Sequence, residues 1–147
     1  MAWSDIKPDR MLHYPGEEAF LADTLPAFPA VSTIEQIYLP SASMMVLRDL
    51  GRELRLNPDN AKDMAIIDAL ATASDDPQHE DHVGELQQAI AYKQLELIYT
   101  RFPGAAGDLN DTKRKQYARA YAEERSRFYS LLRHTGAMPA TTVRVRL

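Results

Sequence analysis

The spacing of apolar positions changes near residue 41, and that change divides the chain. Before it, Pro8, Pro15, Pro26, Pro29 and Pro40 interrupt every apolar run, so no long helix can pass through. Glu17–Ala22 predicts a short turn of helix. Thr33–Tyr38 predicts another, behind a Ser32-Thr33-Ile34-Glu35 capping box and stopped by Pro40. Residues 1–40 read as an irregular arm wrapped around something else. From Ser41, residues Met44, Leu47 and Leu50 (with Met45 and Leu54) recur at three- and four-residue steps. That is the mark of an amphipathic helix, running from Met44 to about Leu56. Asn57-Pro58 resets the chain, Asn as N-cap and Pro at the first helical position. A second helix, Asp59–Thr72, then buries Met64, Ile67, Leu70 and Ala71.

A third helix spans about His79–Phe102. Val83, Leu86, Ile90 and Leu97 form one stripe at helical spacing, and Ala91, Leu95, Ile98 and Phe102 form a second. Tyr92 and Tyr99 widen the second stripe. A helix apolar most of the way round is either central in its own domain or shared with a neighbour. After Pro103-Gly104-Ala105-Ala106-Gly107, a fourth helix runs about Asp111–His134. Its apolar stripe is Tyr117, Tyr121, Phe128 and Leu132, with an Arg119, Glu123, Arg127 charge ladder on the far side. Gly136 stands where a left-handed C-cap belongs. The last stretch, Thr141-Thr142-Val143-Arg144-Val145-Arg146-Leu147, alternates apolar and basic residues and reads as an extended strand without a partner strand. The expected fold is all-α. It is a compact bundle of about four helices with a proline-rich arm (1–40), a helical core (41–134) and an extended tail (135–147), in one domain.

Composition narrows the function classes. The chain has 147 residues, 45% apolar and 26% charged, and no cysteine. A disulfide framework, a thiol nucleophile and a Cys-ligated zinc site are thereby excluded. Apolar runs fall far short of the ~20 residues of a membrane helix. The start lacks the basic and apolar regions of a secretory signal. A soluble, intracellular protein is the expectation. Charge is uneven: residues 1–107 carry 17 acidic and 8 basic side chains, net −9, and residues 108–147 carry 4 and 9, net +5. Such a chain either folds its basic third against its own acidic part or attracts other copies.

Candidate chemistry is sparse. His79-Glu80-Asp81-His82 is the one cluster resembling metal ligands, but it lacks metalloprotease spacing and suits a solvated first helical turn. No nucleophile elbow or phosphate-binding loop occurs, so neither catalysis nor a cofactor or metal is expected. Lys113, Arg114, Lys115 and Arg119 are cations near a helix start, where they oppose the helix dipole. They call for an anionic neighbour, a second subunit or nucleic acid. The tail residues 141–147 call for an edge to pair with.

The sequence of elements resembles the head-to-tail adaptor (connector) proteins of tailed bacteriophages. The resemblance lies in the Met44–Leu56 helix, the Asp59–Thr72 helix, and then Glu85-Leu86-Gln87-Gln88-Ala89-Ile90-Ala91-Tyr92-Lys93-Gln94-Leu95-Glu96-Leu97-Ile98-Tyr99. A loop and Tyr117-Ala118-Arg119-Ala120-Tyr121-Ala122-Glu123-Glu124 complete it. It covers residues 41–134, and the proline-rich arm has no counterpart in that family. The resemblance implies a non-catalytic subunit of a homo-oligomeric ring, usually twelve-fold, at the head–tail interface of the virion and assembled in the host cytoplasm. Such a ring contacts the portal protein and a downstream neck or tail protein, and extends the DNA channel without membrane contact. It places Thr141, Thr142, Val143, Arg144, Val145, Arg146 and Leu147 at the portal. Tyr92, Leu95, Ile98, Tyr99 and Phe102 then form the subunit interface. Lys113, Arg114, Lys115 and Arg119 face the channel or an acidic neighbour. The alternative is a small helical protein–protein interaction or regulatory module.

Overall fold

The first long helix begins where proline was expected to end one. In a computed structural model, which describes residues 3–16, 18, 37–72, 80–101 and 109–134, helix α1 spans Leu39–Leu54 with Pro40 in its first turn. A first-turn N–H has no intrahelical acceptor, so proline costs nothing there and its fixed φ favours the helix. Tyr38 enters it in the left-handed region, at φ 57°. α1 buries Ala42, Val46, Leu47, Leu50, Gly51 and Leu54, and it ends in a Schellman motif. Arg55 takes the left-handed position (φ 57°) that glycine usually fills, with Leu56 N–H donating to Gly51 O at 2.8 Å and Arg55 N–H to Arg52 O at 3.3 Å.

The next cap also falls elsewhere than the sequence predicts. α2 spans Ala61–Thr72, and Asn60, not Asn57, caps it. Asn60 Oδ1 accepts from the N–H groups of Lys62 (2.9 Å) and Asp63 (3.1 Å). Asn57 Oδ1 instead accepts from Asp59 N–H at 3.0 Å and shapes the Pro58 turn. Both asparagines are good caps, and Pro58 uses the first in a turn, leaving the second for the helix. On α2, Ile67 and Ala71 are fully buried and Met64 and Leu70 partly so, as the periodicity predicts.

α3 (Glu80–Arg101) and α4 (Leu109–His134) are the long elements. They run antiparallel: Tyr99 stacks near Tyr117, Lys93 lies over the Tyr121 ring, and Arg127 reaches Glu85. α1 and α2 both pack on α3. The α4 stripe is buried as expected, at Tyr117, Tyr121, Phe128 and Leu132. Two buried clusters result. One joins α1–α4 with Trp3 and Ile6. The other comprises Ala91, Leu95, Ile98, Tyr99 and Tyr117, closed by Tyr14 and Ile37. The all-α fold is thus as the pattern predicts. Most of Glu17–Ala22, residues 33–36, the link 103–107, Gly136 and the tail lie outside the described residues.

Candidate functional site

The arm lies along α3, held by polar side chains that the helix directs at it. Gln87 Nε2 donates to Lys7 O and Gln88 Nε2 to His13 O, each at 2.8 Å. Gln94, fully buried, uses both ends of its amide: Oε1 accepts from the Tyr14 hydroxyl and Nε2 donates to Ile37 O at 2.6 Å. Tyr99 donates to the Glu18 carboxylate, which also pairs with Lys113. Amides suit this task because one side chain both gives and accepts without carrying charge into the core.

That arrangement corrects the expected subunit interface. Leu95 and Ile98 are fully buried and Tyr99 nearly so, within the chain's own second cluster. Tyr92 is partly buried and stacks 6.3 Å from Tyr117. Among the described residues, Leu95, Ile98 and Tyr99 are therefore covered by the arm and α4 and are not offered to another subunit, while Tyr92 is only partly covered. Phe102 and Thr141–Leu147 lie outside the described residues.

The cations at the start of α4 find carboxylates in the same chain. Lys113 pairs with Glu18, Arg114 with Asp111 Oδ1 at 3.0 Å and Lys115 with Asp111 Oδ2 at 3.1 Å. Asp111 in the first turn offsets the unfavourable placement of cations there. Arg125 and Arg127 likewise reach back to Asp49 (3.3 Å) and Glu85 (4.0 Å). Through Lys113, Arg125 and Arg127 the basic third folds onto the acidic part, as the charge distribution allowed, while Arg114 and Lys115 pair within the basic third. Arg119 is exposed on a shallow polar surface with Lys115, Gln116 and Glu123.

One polar cluster ties α1 to α4 and was not foreseen. The Tyr121 hydroxyl donates to Asp49, Arg125 donates to the same carboxylate, and Lys93 Nζ lies 4.3 Å from the Tyr121 ring centroid. Burial, then the hydrogen bond and charge of Asp49, push the Tyr121 hydroxyl far above its ordinary value, and burial does the same to Tyr129. Burial works against the Arg125 charge. Tyr121, Tyr129 and Asp49 outweigh it and raise its pKa. Tyr121 thus stays a neutral donor to Asp49, which suits a structural tie between helices.

Open apolar surface lies elsewhere. A groove of about 590 Å³ is walled by Trp3, Ile6, Leu39, Pro40, Met44 and Leu47, with Ser4, Lys7 and Ser43 also lining it. Its walls are fixed: Trp3 N–H donates to Asp68 and Trp3 Nε1 to Ser43 Oγ, each at 3.0 Å. The chain's sole tryptophan, at the start of the proline-rich arm, forms part of its wall. Among the described residues no group of three or more His, Asp or Glu could hold a metal, and no helix is long and apolar enough to cross a membrane. His79 lies outside those residues, as does the His82 side chain. Comparison with protein families, with curated proteins and with solved structures finds no match to this chain.

Proposed function

We propose that the chain is a non-catalytic structural subunit of the connector type. It would form an oligomeric adaptor ring between portal and tail that continues the DNA channel. The observation that carries this reading is the helix order: two shorter helices packed on a long third helix, itself paired antiparallel with a long charged one. This is the order on which the resemblance to phage head-to-tail adaptors rests. With Leu95, Ile98 and Tyr99 covered from within, ring contacts would use other surfaces. Arg119, exposed beside Lys115 and Gln116, is the best-placed cation for a channel wall.

The portal contact is assigned to Thr141–Leu147, where Val143, Val145 and Leu147 alternate with Arg144 and Arg146. Apolar side chains on one face and guanidinium groups on the other suit edge pairing with a strand of the portal. The test mixes purified chain, full-length or lacking residues 140–147, with portal rings, and reads binding by mass and electron microscopy. The full chain should decorate the ring, and the truncated chain should keep its helical content but lose binding. Equal binding by both, or none by either, overturns the reading.

A second reading, a helical interaction module without DNA, is favoured by the ion pairing of Lys113, Arg114 and Lys115 within the chain. Cations already neutralised locally are poor phosphate contacts. Under that reading, assembly is indifferent to salt and charge reversal at Arg119 has no effect on it.

A further inference from the structure

The arm carries an apolar tip that is built with care and left uncovered. Asp9 Oδ1 accepts from the N–H groups of Met11 (2.8 Å) and Leu12 (3.1 Å). The Asp9 carbonyl accepts from Leu12 (3.2 Å) and His13 (2.9 Å), and His13 Nδ1 accepts from Asp9 N–H at 2.7 Å. On either side of this turn, the neighbouring Gln87 and Gln88 of α3 clamp the carbonyls of Lys7 and His13. Yet the two residues so displayed, Met11 and Leu12, are 81% and 77% exposed. Ordering a loop costs conformational entropy; Ile6, Pro8 and Tyr14 beside the tip are buried, but Met11 and Leu12 gain almost no burial of their own among the described residues. Large apolar side chains held in place before contact are what an interface anchor requires.

The groove lined by Trp3, Leu39, Met44 and Leu47 is the matching concavity, and Met44 on its wall is 45% exposed. The tip cannot fill the groove of its own chain. Lys7, which lines the groove, lies just four residues before Met11 in the sequence. Both flanks of the tip are tied to α3 besides. We propose that the Met11–Leu12 tip of one copy seats in the Trp3–Met44 groove of a second copy. Charge allows one pairing at the edge. Asp9 and Arg10 both precede the tip and Lys7 lines the groove, so docking can set the Asp9 carboxylate of one copy against the Lys7 ammonium of the other. Tip and groove are different surfaces, so the contact propagates head to tail, or closes at two copies if both exchange tips. The contact requires no portal and no DNA. It is compatible with a ring of the connector type, but its failure leaves the portal-binding test of that reading standing.

Sedimentation velocity on the full chain over a wide concentration range tests it, with circular dichroism confirming the fold of each variant. Met11→Ser/Leu12→Ser alters only exposed side chains, and Met44→Glu puts a charge on the groove wall. The wild-type chain should rise above monomer mass with concentration. Each variant alone should associate at least tenfold more weakly. Mixing the two should restore a one-to-one complex, since one retains its groove and the other its tip. A wild-type mass above two copies marks head-to-tail growth and a mass that stops at two marks reciprocal exchange, and either supports the contact. A wild-type chain monomeric throughout, a tip variant that associates like wild type, or a mixture that stays monomeric overturns it.

Discussion

The two buried clusters of this molecule are built on different terms. The first is largely aliphatic and joins all four helices: Val46, Leu50, Ile67, Leu86, Ile90, Phe128 and Leu132 meet there, with Trp3 and Ile6 added from the arm. The second is rich in tyrosine, and the arm residues Tyr14 and Ile37 close it. Its polar atoms are satisfied across long stretches of sequence, Gln94 to Tyr14 and Ile37, Tyr99 to Glu18. Helices that meet through aliphatic stripes are held by area removed from water. An arm held through buried amides and a carboxylate is held as much by what it would cost to leave those groups unpaired. The first end should therefore fail by losing volume, and the second by losing partners.

The largest effect belongs to the first cluster. Phe128 is 2% exposed at its centre, and Phe128→Ala should lower the stability by about 3–5 kcal/mol. Urea denaturation followed by circular dichroism measures it. A loss below about 1 kcal/mol would mean that this end is not the packing centre.

Next comes Gln94→Ala. It strips the buried Tyr14 hydroxyl and Ile37 carbonyl of a common partner and should cost about 1–3 kcal/mol. Its distinguishing sign is locality. Amide exchange should quicken around residues 14 and 37–38, while Trp3, the only tryptophan, keeps its buried emission because it rests on the other cluster. A red shift of Trp3 with loss of the whole fold would show the two ends to be one cooperative unit.

The same contrast decides what could be read from sequence. The α4 stripe and the Ile67–Ala71 face were legible because a helix declares its buried side by spacing alone. Pro40 and Asn57 misled because local rules permit several outcomes. Proline both ends and begins helices, and two asparagines three apart compete for one cap. Leu95 and Ile98 misled for a different reason. Spacing shows that a face is apolar but not what covers it, and the covering residues Tyr14 and Ile37 lie in the arm, which has no period. The groove and the tip were invisible because they depend on where irregular chain comes to rest.

Packing at the first end is tight down to one methyl group, and Gly51 tests that. A Cβ there would meet Leu56 O at 2.8 Å and the Pro58 ring at 2.9 Å. In an open helix, Gly→Ala gains about 0.5–1 kcal/mol. Here the backbone oxygen cannot withdraw without undoing the Schellman closure, so Gly51→Ala should destabilise by about 1–3 kcal/mol, as overpacking does. A stabilised variant, read from the same denaturation curves, would show that the α1 end is looser than its contacts imply.

The smallest effect lies at the arm's turn and depends on pH. Burial lowers the His13 pKa below its ordinary value of 6.5, against the pull of the Asp9 carboxylate, which favours the charged ring. Geometry points the same way as burial, because Nδ1 accepts the Asp9 N–H and a protonated nitrogen has no lone pair to offer. A folded-state pKa below the unfolded one means that the folded chain binds fewer protons. The stabilisation is therefore complete above about pH 6.5 and is lost as pH falls through the lowered value. His13→Asn keeps an acceptor but cannot titrate, so the stability difference between it and the wild-type chain should widen in the variant's favour on going from about pH 7 to about pH 5. Urea midpoints at the two pH values measure that difference, with the other histidines and carboxylates common to both chains. A constant difference would mean that His13 protonates without disturbing the turn, and that Asp9 alone holds the tip.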